Sequence, residues 1–315
     1  MLISGPMPGC PSRVMRRFLK GLVIVVVTIL VFSNLNAQDL DPRRYTNIPI
    51  AQNFLVLAFL YSDGDVNFAA SAPLSEARIR IDGPALAYLR SFAIAGKSAS
   101  VDMLLPYVCV AGSALLNGER ASREVCGLGD AALRVSYNFV GAPATELRDF
   151  SRRKRTTVVG ASVQIGMPTG QYDSDKLLNI GANRWYIKPE IGVSIPLNKW
   201  SFEFAAGVRI FTDNSDFLGD VKLAQDPLYN IQSHVIYDLT PRQWVSLDAN
   251  YFFGGNTFQD GAQSATGQNN SRLGLTWTVA LNSKHNLKFL AHTGVIGRVS
   301  NDSDTFTVAW SYRWD

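Results

Sequence analysis

Apolar and polar side chains alternate along most of the chain beyond residue 52, with the two-residue period of a β-strand. The alternation is clearest over residues 185–211, where two arms, each of about ten residues, are joined at Asn198 and Lys199. Within the arms one face carries large apolar side chains, and the opposite face carries every charge. The charged residues are Lys188, Glu190, Glu203 and Arg209. The pattern predicts a hairpin in which Val193 lies opposite Phe204.

Strand length and the position of the charges leave two interpretations of this hairpin. A strand of about ten residues is longer than is usual in a soluble domain, and it is close to the length that a tilted strand needs to cross a bilayer. A soluble sheet turns its apolar face to a core, whereas a membrane barrel turns its apolar face to lipid and its charges to a wet lumen. The hairpin alone fits both, so the rest of the chain has to decide.

The same alternation predicts twelve strands. They cover residues 53–61, 84–95, 98–112, 130–140, 156–167, 185–197, 200–212, 227–239, 244–254, 271–282, 285–296 and 304–314. Long polar connections alternate with tight turns, which lie at residues 96–97, 198–199, 240–243 and 283–284. This arrangement is typical of outer-membrane barrels, and a β-sandwich gives no reason for it. Two connections depart from it, since residues 141–155 are long and basic where a short turn is expected, and residues 297–303 are short where a long loop is expected.

The alternation and the spacing together predict an all-β protein, a single antiparallel transmembrane β-barrel of about 12 strands. The polar face of each strand then lines the lumen. The candidate pore-lining residues are Lys188, Glu190, Glu203, Arg209, His234, Asp238, Asp248, Arg272 and His292. Four aromatic residues fall near the short-turn ends, where an interfacial girdle is expected: Trp200, Tyr237, Tyr312 and Trp314. The face assignment of the third strand is ambiguous, because Pro106 interrupts it.

The first 37 residues have the layout of a secretory signal peptide. A head with four basic and no acidic residues precedes an apolar run from Leu22 to Phe32. That run of about eleven residues is too short to span a membrane as a helix. We expect cleavage after Ala37, which leaves residues 38–315 as one outer-membrane barrel domain. A start at Met15 would give the segment a more typical basic head.

The net charge that matters for possible partners is that of the mature chain, without residues 1–37. The full chain has 30 Lys and Arg against 26 Asp and Glu. Without the four basic residues of the signal, 26 of each sign remain, so the mature chain has no net charge. Nothing in this balance indicates nucleic acid as a partner. The mature chain also lacks a long uninterrupted apolar run, so no transmembrane helix is expected.

Sequence motifs for phosphate binding or metal binding are weak. The sequence Gly96-Lys97-Ser98 lacks the first glycine of a phosphate-binding loop, and a tight turn explains it better. His234, His285 and His292 lie on different strands without metal-ligand spacing. Oxygen-rich loops at residues 173–175 and 213–216 could bind calcium, but solvated turns are favoured. The sequence therefore predicts no enzyme, no cofactor and no metal site.

Two cysteines, Cys109 and Cys126, remain after export into an oxidising compartment. They flank one predicted loop. A disulfide between them and a pair of free thiols are both open from the sequence.

Several stretches outside the strands are characteristic in combination. They are Gly127-Leu128-Gly129-Asp130, Pro168-Thr169-Gly170-Gln171-Tyr172, Asn179-Ile180-Gly181-Ala182-Asn183-Arg184-Trp185 with Lys188-Pro189-Glu190, and Gln225-Asp226-Pro227-Leu228. With these motifs the mature chain resembles the outer-membrane transporters named after the meta-pathway of phenol degradation. The resemblance covers most of the mature chain and implies a barrel that passes small compounds, aromatic ones among them. It carries no substrate-site residues. One departure is the end of the chain, where Asp315 follows the aromatic Trp314.

The expected function is therefore passive entry of small solutes through the bacterial outer membrane. The expected partners are outer-membrane lipids, the barrel assembly machinery and a small-molecule solute. One alternative is a sealed barrel with a structural or adhesive role. A weaker alternative is a soluble periplasmic β-sandwich that binds a ligand.

Overall fold

The computed structural model describes residues 40–66, 74–116, 119–176, 178–264, 267–296 and 301–315. The expected signal peptide, residues 1–37, lies outside these ranges. The strands are β1 (Asn53–Val66), β2 (Leu74–Ile94), β3 (Lys97–Leu116), β4 (Glu119–Leu128), β5 (Ala131–Val140), β6 (Val158–Met167), β7 (Tyr186–Leu197), β8 (Trp200–Phe211), β9 (Asn214–Phe217), β10 (Val221–Gln225), β11 (Leu228–Thr240), β12 (Gln243–Gly254), β13 (Thr257–Gln259), β14 (Ala262–Ser264), β15 (Gln268–Ala280), β16 (His285–Ile296) and β17 (Asn301–Trp314). One short helix, α1 (Leu147–Phe150), precedes β6. Among the described residues, no helix is long and apolar enough to cross a membrane.

Twelve of the strands form one closed antiparallel barrel. Each of these twelve strands pairs with the next one along the chain, and the strands outside the barrel are β4, β9, β10, β13 and β14. The sheet closes where β1 pairs with β17, from Asn53 opposite Trp314 to Val66 opposite Asn301. The predicted number of strands and the antiparallel barrel are confirmed. The predicted register of the hairpin is also confirmed, since Val193 pairs with Phe204 and Glu190 with Gly207.

The two faces of the wall differ in the way the alternation predicts. Large apolar side chains on the outer face are exposed, among them Phe204 (52%) and Leu275 (64%), whereas polar side chains on the opposite face are buried. An apolar band that surrounds a polar interior is the reverse of a soluble protein. Aromatic rings gather at the end of the barrel that carries the tight turns, which we call the short-turn end. There the ring centroids of Trp200 and Tyr237 lie 4.6 Å apart.

The long connections are more structured than the sequence predicts. Strand β4 fills most of the predicted loop at residues 113–129 and pairs with the outer part of β3, so that a hairpin extends beyond the barrel wall. Cys109 lies opposite Cys126 in this hairpin, and the two form a disulfide. The connections after β8 and β12 contribute a second sheet of four short strands, β9, β10, β13 and β14. Pairing satisfies the backbone polar groups of these segments without requiring an apolar face, so no alternation marks them in the sequence.

Strand β3 runs straight through Pro106. Proline has no N–H to give to a ladder, so it is tolerated where no donor is needed. On one side Pro106 lies opposite Ala85 of β2. On the other side β3 changes partner here, from β5 at Leu104 to β4 at Tyr107, and the Pro106 carbonyl accepts a bond from the N–H of Gly129 at 2.9 Å. The proline therefore marks the branch point between wall and hairpin.

The long basic connection between β5 and β6 lies at the short-turn end. Its backbone is anchored to the β2–β3 turn, since the N–H of Ser98 donates to the Ala142 carbonyl and the N–H of Ala144 donates to the Gly96 carbonyl, both at 2.9 Å. The connection that the sequence predicts at residues 297–303 is shorter in the structure, because β17 begins at Asn301. Residues 297–300 lie outside the described residues.

Candidate functional site

Polar and charged side chains line the inside of the barrel. Each wall strand turns every second side chain inward, as a pleated strand requires. The buried polar residues on this face include Ser162, Lys188, Glu190, Ser194, Glu203, Arg209, Asn230, Gln232, His234, Asp248, Asn250, Thr276, His292 and Thr305. They pack against one another within the tube. The inner face of the barrel is therefore polar.

Glu190 is the centre of the largest cluster. Its Oε1 accepts a hydrogen bond from the hydroxyl of Tyr45 at 2.9 Å and lies 3.7 Å from Nε of Arg44. Its Oε2 lies 3.1 Å from Nζ of Lys188 and accepts a bond from Nε2 of Gln232 at 3.2 Å. Two neighbouring cations and two donors satisfy the carboxylate, although only 6% of the residue is exposed. The wall and the chain that precedes β1 therefore meet at this residue.

A second cluster links β11, β12 and β15. Nδ1 of His234 lies 2.7 Å from Oδ1 of Asp248, and the hydroxyl of Thr276 donates to Oδ2 of the same carboxylate at 2.7 Å. A nucleophilic triad needs its hydroxyl bonded to the imidazole. Here the hydroxyl bonds to the carboxylate, so the geometry is that of a structural bond. Within the described residues, no three His, Cys, Asp or Glu side chains come together as a metal site.

The chain before β1, residues 40–52, enters the lumen with residues 40–45 and continues at the short-turn end, and we call it the lumen segment. Leu40 and Tyr45 are each only 3% exposed. The Tyr45 ring lies over Gly160 and Gly192, which face each other in β6 and β7. A Cβ at Gly160 would come within 2.8 Å of the ring, and one at Gly192 closer still. Glycine at both positions therefore leaves the hollow that the ring fills.

Ion pairs and a backbone hydrogen bond hold Asp41 and Arg43 of the lumen segment. The backbone N–H of Arg43 donates to Oε2 of Glu203 at 2.7 Å, and its guanidinium pairs with Asp238. Asp41 lies 3.4 Å from Nζ of Lys288 and 3.8 Å from the guanidinium of Arg134. Each contact joins the segment to a different wall strand. The segment is thus fixed from several sides of the tube.

The charges of the lumen segment are mutually stabilised. Burial raises the pKa of Asp41, but the charges of Arg44, Lys288 and His234 outweigh that effect, and the pKa lies below the usual value of an aspartate. Burial likewise opposes the charge of Arg44, yet Asp41 and Glu190 raise its pKa. Burial and the nearby Glu190 charge raise the pKa of Tyr45, so its phenol stays protonated and can donate to that carboxylate.

The structure places most of the candidate pore-lining residues together on the inner face. Seven are buried there: Lys188, Glu190, Glu203, Arg209, His234, Asp248 and His292. Asp238 is about a quarter exposed at the short-turn end, and Arg272 is half-buried in the opposite half of β15. The guanidinium of Arg209 lies 4.8 Å from the ring centroid of Tyr186. The role of these residues in a solute path stays a prediction.

The alternation of apolar and polar residues does not predict the lumen segment. Its residues Asp41, Arg43, Arg44 and Tyr45 make the contacts described above. Sequence reasoning also missed Arg134 and Asp102, an inward pair whose guanidinium and carboxylate are 2.8 Å apart. One available signal was the pair of glycines at residues 160 and 192, each on the inward face of a predicted strand. A gap on the polar face of two strands indicates that something else fills it.

Comparisons with known proteins agree with this architecture. The fold is similar to that of a crystallised outer membrane channel from Pseudomonas putida F1, with a TM-score of 0.76 and 20% identity over 87% of this chain and 99% of that one. It is also similar to the β-domain of the Bordetella autotransporter BrkA, with a TM-score of 0.52 and 16% identity over 84% of this chain and 100% of that one. No curated protein sequence matches the chain.

A family model described as "Putative MetA-pathway of phenol degradation" matches residues 62–312, which run from the second half of β1 to Tyr312 of β17. The match agrees with the resemblance drawn from the loop motifs. The chain therefore belongs to that family.

Proposed function

We propose that this protein is an outer-membrane channel for the passive entry of small solutes, aromatic compounds among them. The observation that carries the proposal is a closed barrel with an apolar outer band and a charged lumen, occupied by a segment that polar contacts hold. Family membership and the fold shared with an outer membrane channel support it. On this proposal residues 1–37 are removed on export, lipids and the barrel assembly machinery are the partners, and no catalysis or cofactor is involved.

For a solute to pass, the lumen segment has to move out of the lumen. The contacts of Asp41, Arg43 and Tyr45 with the wall all involve at least one side chain. The ion pairs of Asp41 with Lys288 and of Arg43 with Asp238 are partly exposed, and such pairs contribute only about 0–1 kcal/mol each. In contrast, Ala51 and Gln52 exchange backbone hydrogen bonds with Ser91 of β2 at 2.9–3.0 Å. The first part of the segment can therefore leave while its base stays attached.

Single-channel recording in a planar bilayer tests this function. We compare the full mature chain with a variant that lacks residues 40–47. The variant is expected to conduct more than the full chain, because it lacks the groups that fill the lumen. Heat-modifiable mobility on a denaturing gel serves as the control for a folded barrel. Solute identity is tested by uptake of a panel of aromatic acids in a strain that lacks the protein.

The second candidate function is a sealed barrel with a structural or adhesive role. The tight burial of Leu40 and Tyr45 favours it, since a segment packed to 3% exposure leaves little open space around it. Absence of conductance in both the full chain and the variant, with both barrels folded, would establish the sealed barrel.

A further inference from the structure

A cavity of about 490 Å³ lies at the short-turn end of the barrel. Three parts of the chain enclose it: the lumen segment, the basic connection between β5 and β6, and the ends of the wall strands. Its charged lining residues are Arg43, Arg153, Lys154, Arg155, Lys199 and Asp238. Sites for small molecules commonly measure about 300–1,000 Å³. The cavity is therefore large enough for a small organic ligand.

The charge of this lining is strongly one-sided. It contains five basic residues and one acidic residue, Asp238. Arg43 and Arg155 both pair with Asp238, which neutralises one positive charge. The guanidinium of Arg153 donates to the Gly141 carbonyl and, at 3.1 Å, to the Thr156 hydroxyl. Neither partner carries a charge, so the positive charge of Arg153 stays uncompensated.

Lys154 and Lys199 add to the excess. Within the described residues, neither has a carboxylate oxygen within 4.0 Å. Burial lowers the pKa of Arg153, as expected where a positive charge loses water without gaining an acidic partner. With five cations against one carboxylate, the cavity has an excess of four positive charges. A hollow with this excess of positive charge attracts anions.

Five of the lining residues are apolar, and they add a second requirement for the ligand, which is an apolar surface. Phe150 contributes an aromatic ring, and Val158, Pro196, Leu239 and Pro241 contribute aliphatic surface. A small inorganic anion would leave this surface unused. An anion with a flat apolar body would bury it and would also reach the guanidinium groups, whose planar donors match a carboxylate.

We propose that this cavity binds a small aromatic carboxylate at the short-turn mouth of the lumen. The proposal rests on the channel function and names the class of solute that passes. It also gives the long connection between β5 and β6 a purpose, since that connection supplies three of the five basic residues. A short turn of the kind found at residues 198–199 could not supply them.

Isothermal titration calorimetry with the full mature chain in detergent tests the proposal. Benzoate is the probe, and the variant is the double substitution Lys154→Gln with Lys199→Gln, which removes two charges without breaking the ion pairs of Asp238. We expect benzoate binding to weaken about tenfold, since two exposed charges at about 0.7 kcal/mol each together contribute about 1.4 kcal/mol. Lys284→Gln is the matched control, because Lys284 also lies in a short-turn-end connection but not in the cavity. It is expected to leave binding unchanged.

Two further ligands separate charge from apolar contact. Benzyl alcohol has the ring without the carboxylate, and acetate has the carboxylate without the ring. Both are expected to bind more weakly than benzoate. Equal binding of benzoate and benzyl alcohol, an equal loss in the Lys284→Gln control, or benzoate binding that the double variant leaves unchanged would overturn the proposal.

The same preparation separates this proposal from the channel function. If the protein conducts ions in a planar bilayer but does not bind benzoate, the carboxylate site is wrong and the channel stands. If it binds benzoate as expected but does not conduct in any variant, the site stands and the channel is wrong. Heat-modifiable mobility shows that each variant is folded before either result is read.

Discussion

Glu190 lies in the wall and contacts the lumen segment. Its negative charge offsets the positive charges of Lys188 and Arg44. Replacing Glu190 with Lys places a cation beside Lys188 and Arg44, with Arg209 diagonally across on β8. A narrow wet passage with this excess of positive charge favours anions. We expect Glu190→Lys to shift ion selectivity towards anions, measured as the reversal potential across a salt gradient.

Glu190→Gln is the matched control for this substitution. It keeps the size of the side chain and an acceptor for the Tyr45 hydroxyl, but it removes the charge, so a smaller shift in the same direction is expected. If the Lys variant folds and its selectivity equals that of the original protein, the cluster lies outside the ion path.

A substitution at Gly192 tests the role of the hollow that the Tyr45 ring fills. A Cβ at this position would overlap the Tyr45 ring. The ring then has to leave its hollow, and the hydrogen bonds of its hydroxyl group with Ser162 and Glu190 are lost. We expect Gly192→Ala to raise single-channel conductance.

A double-mutant cycle isolates the cause of that increase. In a Tyr45→Ala background the ring is absent, so Gly192→Ala should have no further effect on conductance. An equal increase in both backgrounds would mean that the substitution disturbs the wall itself and not the segment.

At the scale of the elements, the contacts of the lumen segment depend on pH. The pKa of Asp41 lies below its ordinary value of about 3.9, so its ion pairs stabilise the docked segment above that pH and are lost as the pH falls through the lower, docked-state pKa. Protonation leaves Arg44, Lys288 and Arg134 without that partner. We expect conductance to rise on acidification below about pH 4, measured in single-channel recordings from pH 7 to pH 3.

Asp41→Asn should conduct more at pH 7 and gain less on acidification than the original protein. Asp149→Asn is the control, because Asp149 is an exposed acid in α1. The interpretation is wrong if the Asp41 variant and the original protein respond to acid equally.

Wall strands and the lumen segment differ in how far their sequences predict them. In a wall strand, neighbouring residues face the lumen and the lipid in turn, so a few residues are enough to predict both faces. Lys188, for example, faces the lumen, and Ile187 faces outward. The lumen segment has no such period, because its partners come from remote strands: Tyr45 bonds to Glu190, 145 positions away, and Arg43 to Glu203, 160 positions away. Strand β4 was missed for a related reason, since residues such as Glu119 and Arg123 lie beyond the barrel wall and need no apolar face.

For the molecule as a whole, the outer band decides whether the barrel is stable in a membrane. Phe204 is half exposed near the middle of β8 and faces outward. Phe204→Arg is expected to lower the free energy of unfolding by about 2–4 kcal/mol if this position lies near the bilayer centre. Urea unfolding in lipid vesicles measures the change.

Phe204→Leu is the apolar control, and it should cost far less because the side chain stays compatible with lipid. A loss of stability equal to that of the Arg variant would show that the Phe204 ring is needed for packing and that the surface does not face lipid.

The position of the lumen segment bears on the order of assembly. The segment precedes β1, and β1 forms the closing seam with β17 at the other end of the chain. Once that seam is shut, residues 40–45, which include two arginines, can reach the lumen only through an open end of the tube. While the sheet is still open, they can bind directly to strands β6 to β8, which carry Ser162, Glu190 and Glu203. Docking before closure avoids the passage through the mouth.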